Sequence, residues 1–383
     1  AGGRRIRAFD MSYDFIVIGG GIAGASAAYR LIEHGSVLLL EMEEQPGYHS
    51  TGRSAAQFTE LYGNGPIRAL VRLSKNFLLS PPAGFSEVPI LTPRGAMFVG
   101  TTVQKPALDE VLKTAAEENC QVDALDIAGA RRIVPVLNPE MFEQAIFEPK
   151  STDIDVHALH GGFLKVFAGR GGEIICDAEV KGMQWADGAW HVETKVGSFA
   201  APIVVNAAGA WGDVIAARAG VHPMGLTPKR RTVILFDPPP DVDIEDWPLV
   251  IDADESWYFK PDAGKVLASP ADETPVEPYD AQAEELDVAL IADAIERMTS
   301  MTVGRISHSR AGLRTFTADK TPVVGFAPDA EGFFWLVGQG GYGIETSPAM
   351  GELTCALIID GRAPDHFTKA GFSAQDVAPV RYH

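Results

Sequence analysis

The sequence predicts a mixed architecture, α/β plus α+β, in which a parallel sheet flanked by helices is interleaved with a second, β-sheet unit. Three observations carry this. Near the N-terminus an apolar run leads into glycines spaced G-x-G-x-x-G and then into small helix formers. Two later stretches, around 203–211 and 333–344, repeat the succession of buried strand and small-residue turn. Between these stretches, Pro/Gly breaks and short alternating strands mark chain that leaves the sheet and comes back.

The first unit is the most informative. Phe15-Ile16-Val17-Ile18 is a continuous apolar run, as suits a strand buried on both faces. Gly19, Gly21 and Gly24 follow at once, with Ile22 and Ala23 between them, and Ala25 to Glu33 reads as a helix stopped by Gly35. Val37 to Leu40 reads as a second strand, ending in Glu41-Met42. The glycines allow a tight turn, backbone approach to a pyrophosphate and close helix–strand packing. The helix N-terminus offers unpaired N–H groups to the phosphates. Glu41 is placed to accept a ribose 2′-OH, and it would repel a 2′-phosphate. Together these parts predict a Rossmann-like dinucleotide site. The small polar run Tyr48-His49-Ser50-Thr51-Gly52-Arg53-Ser54-Ala55-Ala56 favours FAD over NAD, because it can pass beneath a flavin and donate several hydrogen bonds.

The remaining elements follow in order. Pro66 to Leu79 carries apolar residues at helical spacing, and Pro81-Pro82-Ala83-Gly84 breaks the chain. Thr92 to Gly100 reads as a strand and Pro106 to Glu118 as an amphipathic helix; another helix ends at Arg131 to Pro135. Ile154 to Gly169 reads as a helix. Glu173 to Val180 and Trp190 to Thr194 read as strands, with Asp187-Gly188 as a hairpin turn. Ile203 to Val205 is a buried strand running into Asn206 to Trp211. Ile234 to Pro240 and Trp257 to Phe259 are strand-like, Gln282 to Met301 is helical, and Arg310 to Phe316 begins the return. Phe333 to Val337 is a last buried strand, followed by a glycine-rich turn and a helix from Thr346 to Ile359.

Composition narrows the function. The balance of 32 Lys+Arg against 51 Asp+Glu gives −19, which repels nucleic acid and anionic membranes. Cys120, Cys176 and Cys355 match no zinc or redox spacing and read as ordinary thiols in a reducing compartment. His157 and His160 read as plain helix positions, and no metal is expected. No stretch is long and apolar enough for a transmembrane helix. Arg4, Arg5 and Arg7 ahead of an apolar run crudely mimic a signal peptide, but the glycine fingerprint explains that run. Ala1 to Asp10 reads as an extension ahead of a start at Met11, and a cytoplasmic location is expected.

The stretches DFIVIGGGIAGAS, GYHSTGRSAA, VVNAAGAW, AGLRTF and GQGGYGIETS, in order over nearly the whole chain from Ser12 to His383, resemble the D-amino-acid-oxidase-like FAD oxidoreductases. That group includes glycine oxidases, sarcosine oxidases and D-amino-acid dehydrogenases. PGYHSTGRSAA, PPAGF, PKRR, YFKPDAG and AEGFFW resemble most the dye-linked D-arginine dehydrogenases within it. The resemblance implies a Rossmann-like FAD-binding domain of glutathione-reductase type interleaved with a β-sheet substrate-binding domain. The first would take 12–85, 146–221 and 307–383, the second 86–145 and 222–306, with 1–10 outside the fold.

The resemblance also implies residue roles around a non-covalent FAD. Gly19, Gly21, Ile22, Ala23, Gly24, Glu41 and Met42 fall on the ADP part. His49, Ser50, Thr51, Ser54, Ala55 and Ala56 fall along the pyrophosphate, ribityl chain and flavin. Val180, Ala208, Gly209, Trp211 and Gly312 line the cofactor, and Gly340, Gly341, Tyr342, Gly343 and Ile344 lie by the flavin pyrimidine. Arg231 and Arg314 fall on the pair that grips a substrate carboxylate, with Arg230 an alternative to Arg231. In a chain of net charge −19 such paired guanidinium groups are a local exception. Tyr258, Tyr62, Gln57 and Gly341 would complete the substrate site.

Two departures bear on specificity. The D-arginine dehydrogenases place a guanidinium-binding carboxylate where this chain has Ala96, and a His where it has Gln57. Ala96, Met97, Phe98, Leu249 and Ile251 suggest an apolar pocket, hence neutral or hydrophobic D-amino acids rather than D-arginine. The expected reaction is oxidation of the Cα–N bond to an imine, which hydrolyses to a 2-oxo acid and ammonia. The electron acceptor would be dye- or quinone-like, or oxygen, and a monomer is favoured with an oligomer as the alternative. The alternatives are an oxidase of N-substituted amino acids (sarcosine, proline or opine type) and the flavin subunit of a hetero-oligomer.

Overall fold

The computed structural model describes residues 11–240 and 242–382. The expected N-terminal extension, Ala1 to Asp10, lies outside the described residues, as does His383. Among the described residues no helix is long and apolar enough to cross a membrane.

A six-stranded sheet forms one half of the molecule. Its order is Glu173–Ile175, Val37–Leu40, Phe15–Ile18, Ile203–Asn206, Phe333–Val337 and Val323–Phe326. The first five strands run parallel and the last is antiparallel. Alternation along each strand separates two cores. Phe15, Val17, Leu39, Val205, Phe334 and Leu336 face a helical layer that includes Ala27, Leu31, Leu70, Met350 and Leu353. Ile16, Ile18, Leu38, Val204, Phe333 and Trp335 face the other way, against Trp190, Val192 and Phe199 of a small four-stranded sheet. Both faces are covered, so the strands are apolar throughout rather than alternating.

The other half is built on a nine-stranded sheet. Its longest partners, Thr227–Phe236 and Ile306–Phe316, run antiparallel. Helix Glu285–Met298 covers one face, burying Ile291, Ala294 and Ile295 against Ile234, Phe236, Phe259 and Trp257. A three-stranded sheet of Gln57–Phe58, Thr152–Ile154 and Leu91–Pro93 completes the set.

Several expected elements are divided. The strand expected over Thr92 to Gly100 is two, Leu91–Pro93 and Ala96–Gly100, broken where Gly95 takes φ +79°. The helix expected from Ile154 begins at Val156, because Thr152–Ile154 pairs as a strand and Asp155 caps the helix by accepting from the Ala158 amide. The stretch Glu173 to Val180 splits between the six-stranded sheet and Val180–Ala186 of the four-stranded one. The strand expected at Ile234 starts at Thr227, ahead of the arginines. Asp187 and Gly188 both have positive φ, 53° and 78°, as a two-residue hairpin requires.

Candidate active site

The glycine turn is fixed by contacts a larger residue would break. A Cβ on Gly24 would sit 1.9 Å from the Gly19 carbonyl oxygen, so only glycine lets the Ile22–Leu31 helix start this close to the first strand. The Ile22 amide donates to the Thr51 hydroxyl at 3.0 Å, tying the helix start to the 48–56 segment. His160 occupies a position in helix Val156–Gly169, as its sequence context predicts. It is buried, and its Nε2 donates to the Gly20 carbonyl at 2.8 Å, with burial lowering the imidazole's proton affinity. No spacing signal distinguished it.

A cleft of about 1600 Å³, open to solvent, starts at this turn and ends at the paired Thr227–Phe236 and Ile306–Phe316 strands. Its wall includes Gly19, Gly21, Ile22, Ala23, Glu41 and Met42 at one end, then His49, Ser50, Thr51, Ser54, Ala55, Val180, Ala208, Gly209 and Trp211. Arg231, Tyr258, Gly312, Arg314, Gly340, Gly341, Gly343 and Ile344 complete the wall, with Gly343 beside Ile22. Both Glu41 oxygens accept backbone amides, Gly20 at 2.9 Å and Glu43 at 3.0 Å, while burial pushes its carboxyl up. His49 bonds Glu43 through Nε2 at 2.8 Å and packs on Trp211 with ring centroids 4.6 Å apart. Ser50 donates to the Leu313 carbonyl at 2.6 Å.

The two arginines at the tandem site separate cleanly. Arg230 is 4% exposed and turned away from the cleft, with Nη2 2.8 Å from Asp287 and a further ion pair to Glu284. Arg231 lies on the cleft wall, its Nε donating to the Asp272 carbonyl at 2.9 Å. Strand alternation puts neighbours on opposite faces, so Arg231 lines the cleft and Arg230 does not. Arg314 shares that wall, and its Nη1 approaches the Tyr62 hydroxyl at 3.4 Å. Burial raises the Tyr258 phenol, but the nearby Arg314 and Arg231 guanidinium groups outweigh it and bring it below its usual value. A Cβ on Gly341 would lie 2.9 Å from Arg314 Nη1, so this glycine leaves room for the guanidinium.

Other residues expected at the site sit apart from the cleft wall. Gly24, Ala56, Gln57, Tyr62 and Tyr342 do not line the cleft. Gly24 is consumed by packing. Gln57 turns its Nε2 to the Gly95 carbonyl at 2.9 Å and Ser151 at 2.7 Å, inside the three-stranded sheet. Tyr62 and Tyr342 pack on each other with centroids 4.7 Å apart and ring planes inclined by 53°. The apolar pocket expected from Ala96, Met97, Phe98, Leu249 and Ile251 is not part of the wall either. Ala96 and Phe98 pack with Leu108 and Ile146, Met97 joins the core under Trp247, and Ile251 packs beside Ala96.

Residues beyond those expected also face the cleft, among them Gln339, Arg53 and Arg218. Arg53 and Gln339 sit inside motifs already singled out. Glu255, on the turn between Leu249–Asp252 and Tyr258–Asp262, takes φ 55° and faces Tyr62, Arg314 and Arg231; desolvation raises its carboxyl against the pull of those groups. It lies in an acidic loop with no distinguishing pattern.

The wall fits an FAD. Gln339 Nε2 is buried on it without a hydrogen-bond partner, a donor awaiting an acceptor. The glycine turn and small residues leave backbone exposed where a pyrophosphate needs it, and the acid at Glu41 suits a ribose.

Fold and cleft together define a dinucleotide-binding redox protein. The chain matches the family of FAD-dependent oxidoreductases called DAO over residues 14–357, and it belongs to that family, with FAD as cofactor. It is 23% identical over 375 residues to the uncharacterised oxidoreductase YurR of Bacillus subtilis, covering 90% of this chain and 94% of that one. It is 24% identical to the mitochondrial sarcosine dehydrogenase of Homo sapiens over 91% of this chain, which spans 40% of that longer protein. Glycine oxidase from Geobacillus kaustophilus superposes with a TM-score of 0.82 at 21% identity, covering 97% of this chain and 99% of that one. L-proline dehydrogenase from P. horikoshii gives 0.81 at 21% identity, over 97% and 98%. At these identities the two solved structures establish a shared fold.

Proposed function

We propose that this chain oxidises the Cα–N bond of a free amino acid, giving an imine that water hydrolyses to a 2-oxo acid and an amine or ammonia. The observation that carries this reading is the placement of Arg231 and Arg314 on one wall of the FAD cleft. Paired guanidinium groups bind a carboxylate through charge-assisted, bidentate hydrogen bonds. FAD, when bound, supplies the acceptor for the two electrons that leave the C–N bond.

The chain's own residues bind and orient. Arg231 and Arg314 fix the carboxylate, and Tyr258 adds a phenol close to both. The Tyr62 hydroxyl, against Arg314, keeps that guanidinium from swinging away. The amine must be unprotonated to react, and the positive arginine pair disfavours an ammonium beside it. Bound geometry converts into rate by holding Cα in one place.

We assign D-amino acids with neutral side chains as the preferred substrates. The support is the resemblance to the D-arginine dehydrogenases and the replacement of their guanidinium-binding carboxylate in this sequence; Ala96 itself packs with Phe98 and Leu108 outside the cleft wall and offers the substrate no contact. N-substituted amino acids form a second reading, favoured by the likeness to proteins named sarcosine dehydrogenase and L-proline dehydrogenase. Anaerobic bleaching of the bound flavin by D-, L- and N-alkyl amino acids decides between them. Fastest bleaching by D-leucine, D-phenylalanine or D-methionine supports the first reading. D-arginine in the lead would overturn the side-chain assignment, and sarcosine or proline in the lead selects the second reading. A flavin unmoved by any amino acid ends both.

A further inference from the structure

Behind the arginine wall lies a pair of buried carboxyl groups that the proposed chemistry does not use. Glu148 ends strand Gln144–Glu148, is 4% exposed and stands opposite Ala96 in the strand register. Glu345 lies in the first turn of helix Gly343–Ile359 and is 3% exposed. Carboxyls buried to this degree are costly unless each has a hydrogen-bonding task.

Their shared partner is Thr59. Its hydroxyl donates to Glu148 Oε2 at 2.7 Å, and its backbone amide donates to Glu345 Oε2 at 3.2 Å. The same hydroxyl accepts the Leu61 amide at 3.2 Å, and the Glu60 amide hydrogen-bonds Glu148. Thus three successive backbone amides, those of Thr59, Glu60 and Leu61, end on this carboxyl–hydroxyl cluster. The next residue is Tyr62, whose hydroxyl meets Arg314 at 3.4 Å. The 59–62 segment has no strand or helix of its own. The cluster supplies the hydrogen bonds that regular structure would otherwise provide.

We propose that Glu148 and Glu345 are positioning residues: acting through Thr59, they fix the 59–62 segment so that the Tyr62 hydroxyl holds Arg314 in its carboxylate-binding place. The consequence for ligand affinity rests on the reading of Arg314 as a carboxylate grip; the ordering of the segment does not. The charged and titratable groups around the cluster are Glu60, ion-paired with Lys75, the Cys120 thiol beside Glu60, and Arg314 facing Glu345.

The test uses the FAD-loaded full chain and 2-aminoisobutyrate, an amino acid that cannot be dehydrogenated because its Cα bears no hydrogen. Binding is followed by the flavin absorption band, and backbone hydrogen exchange is measured over 57–64. Thr59→Val is expected to weaken binding tenfold or more and to speed exchange. Thr59→Ser, which restores the hydroxyl, should recover both. Glu148→Gln keeps the acceptor and should stay near the parent, whereas Glu148→Leu should behave like Thr59→Val. With Tyr62→Phe already present, Thr59→Val should cost less than twofold more, because the effect runs through the phenol. Parent-like affinity or exchange in Thr59→Val, or a full additional loss on the Tyr62→Phe background, overturns the proposal. If Glu148→Leu does not fold, the two Thr59 variants decide. Should the parent bind no 2-aminoisobutyrate, the amino-acid reading fails, and exchange over 57–64 alone decides the positioning role.

Discussion

Arg231 and Arg314 stand diagonally across one antiparallel ladder. Arg231 is opposite Gly312, and Arg314 is opposite Lys229 two residues further along. Because residues two apart share a face, both guanidinium groups project on the same side, and the missing side chain at Gly312 leaves the space beside Arg231 open. The ladder itself sets the separation of the two cations.

Removing one arm should cost binding more than cofactor. Arg314→Ala deletes charge-assisted contacts worth about 1.5–3 kcal/mol each, so KM for a carboxylate substrate should rise by roughly ten- to a hundredfold or more. FAD content, read from the absorbance ratio of the purified variant, should be unchanged. A parent-like KM would rule out the grip.

Gly341→Ala should reproduce part of that loss without touching an arginine. The new methyl would fall 2.9 Å from Arg314 Nη1, closer than such contacts allow. The guanidinium must shift, and misplacement of about an ångström is expensive for an oriented reactant. Steady-state kinetics should show KM raised severalfold or more, with the melting temperature little altered.

His160→Leu should loosen the cofactor rather than the substrate. The imidazole donates to the Gly20 carbonyl in the middle of the glycine turn, and its loss leaves that acceptor without this bond. A buried unmet carbonyl costs about 1–3 kcal/mol. Fluorescence titration of apoprotein with FAD should give a dissociation constant raised by roughly five- to a hundredfold.

Glu148 should make stability fall as pH rises. Burial raises its carboxyl from 4.5 to about 7 in the folded chain, so the fold prefers the protonated form. Below pH 4.5 both folded and unfolded states hold the proton and nothing is lost. Between 4.5 and about 7 the unfolded chain ionises more readily, and the folded state loses up to about 3 kcal/mol, constant above that range. Glu148→Gln removes this dependence. Thermal unfolding at pH 5 and pH 8 should show the parent losing more than the variant; equal losses would contradict it.

Much of the fold was legible because its signals are local. The run Phe15–Ile18, the glycine turn and Glu41 follow one another within thirty residues, and each part constrains the next. Strand boundaries near 92–100 and 152–156 were not legible, since one strand pairs with chain about sixty residues away and the break depends on Gly95. The tandem Arg230-Arg231 could not be ordered from sequence, because strand phase follows from the register with Ile306–Phe316. His160, Glu148 and Glu345 escaped notice for a related reason: what they do depends on backbone groups distant in sequence, and a lone buried acid or imidazole carries no spacing of its own. The expected pocket around Ala96 failed because an apolar strand can face a core as readily as a ligand.

In the six-stranded sheet, Ile203–Asn206 lies between Phe15–Ile18 and Phe333–Val337. During synthesis, the C-terminal neighbour is the last of these to leave the ribosome. Until then the 203–206 strand has one edge without its partner, and the cofactor crevice lacks its final wall. A chain that ends before Phe333 would leave this central strand with an unpaired edge of the kind that invites association with other chains.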